Sequence, residues 1–323
     1  MPSFRSKVVI GLVRNRHLMK GKLKPEVVDE TFSVEEFRRS VDKQSARAKM
    51  PKGVTVTPVT VADMYAEWIT PEGAPQDKVI LYIHGGGFMS GSCVTHRMHV
   101  AKFALGTGVK ALLFDYRLAP EHPYPAAVDD CLAAYRWLLA EGYTPANIVV
   151  GGESAGGTLT LALLVALRDL ALPLPSGGVS ISPVTDLTCS APSFLGNYKT
   201  DIAPFNSWKI WTQYYIADND PALPWLSPLM ADLSGLPPML LCIGTGEIHY
   251  DDTINFAAKA KRQGDDVTLL EYEGMCHAFP ILAPLFPEAT QAMGEICGFM
   301  RSRLKSGATS SALDVAPVSA PVS

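Results

Sequence analysis

The sequence predicts an α/β protein built on one mostly parallel central sheet with helices on both faces. Short, nearly continuous apolar runs recur along the chain, and segments with helical apolar spacing separate them. The length supports the same class. A chain of 323 residues, 47% of them hydrophobic, can bury a full core as one large domain or two smaller ones.

The elements follow in chain order. Two amphipathic helices open the protein. The second starts at Ser33, where Glu36 three residues on completes a capping-box pattern and Val34, Phe37 and Val41 follow at helical spacing. Past Pro51 the pattern changes to strands over 54–57 and 64–69, then a turn-rich stretch over 71–76. Strands are expected over 79–83, 109–114, 148–150, 178–182, 239–243 and 267–272, because each run is short, apolar and bounded by turn residues. Helices are expected over 126–140, where Val128, Leu132, Tyr135 and Leu139 share a face, and over 155–170, 253–263 and 289–304. From about 187 to 228 the alternation breaks. Trp208, Trp211, Tyr214, Tyr215 and Trp225 lie there among prolines, as in a lid or binding wall. The Ala/Ser/Pro/Val-rich residues 306–323 read as a disordered tail.

Charge excludes several functions. Lys and Arg number 28 against 32 Asp and Glu, a net charge of −4, which suits neither a disordered polyelectrolyte nor a nucleic-acid binder. No apolar run approaches the roughly 18 residues of a membrane helix, so no stable membrane insertion is expected. Residues 1–50 nevertheless carry +6 and the remainder −10, and the first acidic residue is Glu26. A transit peptide or a membrane-surface helix would look like this, but a solvated face on an accessory segment is the preferred reading. The cysteines at 93, 131, 189, 242, 276 and 297 form no CxxC pair and sit mostly in apolar surroundings, which suits a reducing cytoplasm.

Gly152-Glu153-Ser154-Ala155-Gly156 carries the strongest chemical signal. It matches G-x-S-x-G where a strand gives way to a helix. Such a turn projects a serine hydroxyl out of the sheet, and its glycines let strand and helix approach. His84-Gly85-Gly86-Gly87 follows an earlier strand, and there the N–H groups of Gly86 and Gly87 can join that of Ala155 as an oxyanion hole. A phosphate cradle or a Rossmann oxidoreductase is the rival use of glycines, but neither GxxxxGK[ST] nor GxGxxG occurs.

A serine nucleophile needs a base. Of seven histidines, only His249 and His277 follow Ser154, as the order Ser, acid, His requires. His277 lies just past a strand, at the sheet's carboxyl end, and is preferred over His249, which is crowded by acids. The orienting acid is expected to be Glu247, after the 239–243 strand, with Asp251 as the alternative. Asp251 and Asp252 also suit the start of the next helix.

With His84-Gly85-Gly86-Gly87-Phe88, Asp115-Tyr116-Arg117-Leu118-Ala119-Pro120-Glu121-His122-Pro123-Tyr124-Pro125-Ala126, Gly152 to Gly157, and Glu273-Gly274-Met275-Cys276-His277-Ala278-Phe279, the chain resembles the hormone-sensitive-lipase-like esterases, the HGGG group of α/β-hydrolases. The resemblance runs from roughly 78 to 300. It implies an α/β-hydrolase core over 51–186 and 229–305, and a helical cap from residues 1–50 and an insertion at 187–228. It further implies a serine carboxylesterase acting on a small short- to medium-chain acyl ester without cofactor or metal, and a homodimer through the last strand. Ser154, His277 and the oxyanion donors carry over directly. Two departures stand out: Glu153 where the family has Asp, and Glu247-Ile248-His249 where it has Asp-Pro-Leu. Arg117, Glu121 and His122 read as loop-fixing contacts. An amidase, a peptidase or a lipase would share this scaffold. A non-catalytic ligand-binding relative would lack the histidine that stands at 277.

Overall fold

The computed structural model describes residues 1–19, 27–29, 31–45 and 49–305. The expected tail at 306–323 lies outside them. In chain order the elements are helices α1 (Phe4–Arg14), α2 (Arg16–Met19) and α3 (Val34–Ser45), strands β1 (Val54–Val61), β2 (Met64–Pro71) and β3 (Val79–Ile83), α4 (Cys93–Thr107), β4 (Ala111–Phe114), α5 (Ala126–Ala140), β5 (Ile148–Glu153), α6 (Ala155–Asp169), β6 (Gly177–Ile181), α7 (Pro192–Gly196), α8 (Ser207–Ile216), β7 (Met239–Gly244), α9 (Tyr250–Arg262), β8 (Val267–Tyr272) and α10 (Pro287–Lys305).

The strands form one sheet in the order β1-β2-β4-β3-β5-β6-β7-β8. β2 pairs antiparallel with both β1 and β4, and every pair from β4 through β8 is parallel. All of β3, β4, β5, β6 and β7 is buried, which accounts for their unbroken apolar runs. Alternate residues of β3 feed two cores. Val79, Leu81 and Ile83 pack with α5 and α6, while Ile80 and Tyr82 pack with α4 and α10. Among the described residues no helix is long and apolar enough to cross a membrane. All six cysteines are free, and all but the half-buried Cys189 are buried.

Three expectations need correction. Helix α4 was not expected, because its apolar residues do not keep to one side: Val100, Ala101, Phe103 and Ala104 are buried, while Val94 and Leu105 are exposed. Local chemistry defines its ends instead: a Ser92–Thr95 capping box and a left-handed Gly108 at φ 71°. The strand expected over 109–114 is confined to Ala111–Phe114. α9 starts earlier than expected, so Asp251 and Asp252 occupy its first turn and His249 takes the cap position.

The segment expected to interrupt the alternation holds α7 and α8, and it meets the N-terminal helices. The Val28 N–H donates to Phe205 O at 3.1 Å, and Arg16 donates to Ile202 O at 2.8 Å. Trp211 of α8 packs against Phe32 and Phe37, with ring centroids 6.3 and 5.8 Å away. At the carboxyl end of the parallel strands, the turns after β3, β5, β7 and β8 carry His84, Ser154, Glu247 and His277.

Candidate active site

Ser154 sits between β5 and α6 at φ 57° and ψ −125°, a left-handed conformation that costs a non-glycine residue on the order of 1–3 kcal/mol. Its N–H donates to Ile181 O at 2.8 Å, which ties the turn to β6. The flanking glycines are sterically required. A Cβ at Gly156 would stand 2.0 Å from Ile83 O, and one at Gly152 would stand 2.5 Å from the same atom. Ser154 thus opens α6, whose first N–H groups, Ala155 among them, have no carbonyl partner within the helix.

The structure brings Glu247 rather than Asp251 to His277. Glu247 Oε2 lies 3.1 Å from His277 Nδ1. Its Oε1 accepts the Ser182 hydroxyl at 2.9 Å and the Gly244 N–H at 2.7 Å. Asp251 instead accepts the Ser193 N–H at 2.8 Å. Burial alone would push the His277 imidazole down; the Glu247 bond and charge, with Asp201 behind them, more than offset this and hold it above the ordinary histidine value. Burial pushes Glu247 up, against the bonds from His277 and Gly244. His277 Nε2 is buried without a hydrogen-bond partner, in a ring that lines the same cavity as Ser154. His249 is buried beside it, its ring centroid 5.5 Å from that of His277 and 4.3 Å from that of Trp208, with neither nitrogen bonded.

The glycine loop after β3 is tied down from three sides. Gly85 spends its N–H on Glu153 Oε1 at 2.8 Å, which leaves Gly86 and Gly87 as the next donors along the loop. Gly86 has φ 121°, and its carbonyl accepts the Ser90 N–H at 3.0 Å and hydroxyl at 2.8 Å. A Cβ there would collide with Ser90 O at 2.2 Å, and one at Gly87 would meet Trp211 at 2.7 Å. Tyr116 donates to His84 O at 2.9 Å, and its ring stacks on His84 with centroids 4.2 Å apart. Burial and the neighbouring His96 push His84 down to about 3, so it is neutral and its Nδ1–H donates to Gly85 O at 2.8 Å.

A family model for the alpha/beta hydrolase fold matches residues 80–281. The chain is also similar to an acetyl-hydrolase of Streptomyces hygroscopicus, 38% identical over 251 residues that cover 77% of this chain and 83% of that protein. An esterase of Acinetobacter venetianus is 37% identical over 77% of this chain and 82% of its own length. Among solved structures, an esterase from the bacterial hormone-sensitive lipase family superposes with a TM-score of 0.85 at 38% identity, covering 94% of this chain and 99% of that one. The chain belongs to the hormone-sensitive-lipase-like esterases of the α/β-hydrolase fold.

Two residues organise this esterase's site in ways the sequence did not indicate. Ser182, at the carboxyl end of β6, accepts the Ala278 N–H at 3.0 Å while donating to Glu247, and so joins the acid to the histidine loop. Glu153 is a structural anchor. Besides Gly85 it accepts the Tyr82 hydroxyl at 2.5 Å, and its Oε1 lies 3.1 Å from His96 Nε2. Burial opposes its charge, yet His96, Tyr82 and Gly85 together hold the carboxyl below its usual range. Arg117 and Glu121 do fix loops, through Asp130 at 2.7 Å and Arg38 at 2.8 Å.

A cavity of about 380 Å³ opens above Ser154, with Gly86, Gly87 and His277 in its lining and Phe37, Ile202, Trp208, Trp211 and Leu282 as apolar walls. Two of the insertion's aromatics therefore line it. Others pack elsewhere: Tyr215 stacks on Phe88 at 4.0 Å, and Trp225 donates to Asp169. A neighbouring cavity of about 440 Å³ shares Arg16, Ile202 and Ala203 but includes none of Ser154, Glu247 and His277.

Proposed function

We propose that Ser154, His277 and Glu247 form the catalytic triad of a serine carboxylesterase acting on small short- to medium-chain acyl esters. The observation that carries this reading is the Glu247–His277 bond, made from a histidine loop that shares one cavity with a serine on a strained strand-to-helix turn. Glu247 holds the proton on Nδ1, so Nε2 is the basic nitrogen. It removes the Ser154 proton as Oγ attacks the ester carbonyl. The N–H groups of Gly86, Gly87 and Ala155 receive the oxyanion, aided by the amino-terminal end of α6. Collapse of the tetrahedral intermediate expels the alkoxide, which takes the proton from His277 and leaves an acyl-enzyme. Water deprotonated by His277 then attacks the acyl carbon, releasing the acid and restoring the serine.

A cavity of about 380 Å³ with aromatic walls suits a small acyl group better than a long chain. Free, buried cysteines support a cytoplasmic setting. β8 is the outer strand of the sheet and the edge proposed to pair with a second copy. The test of function is p-nitrophenyl ester hydrolysis from acetate to palmitate by wild type and Ser154→Ala. Turnover of short chains that the substitution abolishes is expected. Turnover confined to aggregated long chains, or undiminished in Ser154→Ala, would overturn the proposal.

A further inference from the structure

The outer side of α1 carries an apolar stripe. Phe4, Val8 and Leu12 follow one another at four-residue spacing and are 82%, 42% and 54% exposed. Leu18 in α2 is 56% exposed. At 100° per residue, Lys7 and Arg14 fall on one flank of the stripe and Arg5 on the other, all exposed. The opposite side of the helix is already used: Ser6 and Ile10 are buried, and Val13 lines the cavity above Ser154. α1 is also fixed in place, since Ser3 donates to Glu288 Oε2 at 2.9 Å and Arg16 just beyond it bonds Ile202 O. A solvated helix face has no need of apolar residues in a row.

We propose that α1 is an interfacial helix that seats the protein on an anionic lipid surface. Charge selects this occupant. α1 has no acidic residue, and an apolar strip between cations is the arrangement that lies in a headgroup region with its apolar side down. Two nearby carboxylates are engaged, Glu273 by the amino terminus at 3.1 Å and Glu288 by Ser3. A two-fold contact between copies through the stripe would set Arg5, Lys7 and Arg14 against their own like charges. On lipid, α1 lies between the headgroups and the cavity, with Val13 on the cavity side. The inference does not rest on the esterase reading, because the binding is read without substrate.

The test is co-sedimentation of the full chain with phosphatidylcholine vesicles, with and without phosphatidylglycerol. Wild type is expected to bind the mixed vesicles, and salt to weaken the binding. Phe4→Gln/Val8→Gln/Leu12→Gln should lower the partition by at least roughly tenfold through lost apolar contact. Arg5→Gln/Lys7→Gln should lower it by roughly fivefold per cation removed. Both variants should keep the wild-type melting temperature and the hydrolysis of water-soluble p-nitrophenyl acetate, since these side chains lie outside the cavity lining. Failure of wild type to bind mixed vesicles, or equal binding by the triple variant, overturns the proposal. So does a solution dimer that the triple variant dissolves, which would assign the stripe to a second copy.

Discussion

Replacing Glu247 by glutamine tests the proposed mechanism at a single atom, and the outcome follows from the hydrogen bonds already present. The Oε1 position receives two donors, the Ser182 hydroxyl and the Gly244 N–H, while Ser182 itself accepts from Ala278. A glutamine must therefore put its carbonyl oxygen there, since an NH₂ would meet donors. Its NH₂ then faces His277 Nδ1 across the 3.1 Å gap, and Nδ1 has to accept. The ring proton moves to Nε2, where it blocks removal of the Ser154 proton. A triad histidine held in the wrong tautomer loses about 10⁴ in kcat, equivalent to about 5.5 kcal/mol of transition-state stabilisation. Stability should not fall, because the buried charge is removed while both donors keep their acceptor. The assay is kcat for p-nitrophenyl butyrate, with melting temperature as the control. The acid limb of the residual kcat/KM should also move to lower pH, because Glu247 is what raises the His277 pKa. A kcat within about tenfold of wild type, in a variant that melts normally, would refute the tautomer argument.

Gly86→Ala places a Cβ 2.2 Å from Ser90 O at φ 121°, so the oxyanion loop must move; kcat should fall about 10²–10³-fold with little change in KM, and a selective rise in KM would count against the donor assignment. Glu153→Gln keeps a carbonyl oxygen for Gly85 and His96 but turns an NH₂ to the Tyr82 hydroxyl, which must then accept; losing the charge-assisted bonds should cost about 1.5–3 kcal/mol of stability, read as a lower melting temperature. The folded pKa of Glu153 is depressed, so the stabilisation is complete above the ordinary glutamate value and is lost as pH falls through the folded one; the variant should lack that part of the acid destabilisation. Asp252 is raised to about 7 by burial, with the Asp186 charge adding to it, so its cost grows as pH rises from its unfolded value to its folded one. Asp252→Asn should therefore stabilise the protein at about pH 8, by at most roughly 4 kcal/mol, and change little at about pH 4; equal melting shifts at both pH values would contradict it.

The residues that do chemistry were legible because they sit at local transitions. Ser154 announces itself through a strand, a G-x-S-x-G turn and a helix within a few residues, and His277 and Glu247 each follow a strand. The acid stayed open between Glu247 and Asp251 because local pattern says nothing about which carboxylate reaches across to His277. The supporting shell was hidden for the same reason. Glu153 meets Tyr82 across 71 positions and Ser182 meets Glu247 across 65, distances at which periodicity carries no information. α4 was missed for a different reason. Its exposed side carries Val94 and Leu105, so apolar residues run round the helix and no single stripe marks its buried face.

The bonds from Ser3 to Glu288 join positions 285 apart. During synthesis at about 5–20 residues per second, Glu288 follows Ser3 by roughly a quarter of a minute to a minute. The earlier-made segment is therefore seated late, and one wall of the cavity waits for it. Over that interval Ile10 and Val13, inward-facing in the finished protein, are as bare as Phe4, Val8 and Leu12 remain afterwards. The nascent chain thus leaves both sets of apolar residues uncovered among the cations Arg5, Lys7 and Arg14, and in that window a chaperone or a lipid surface competes with the protein's own core for the segment.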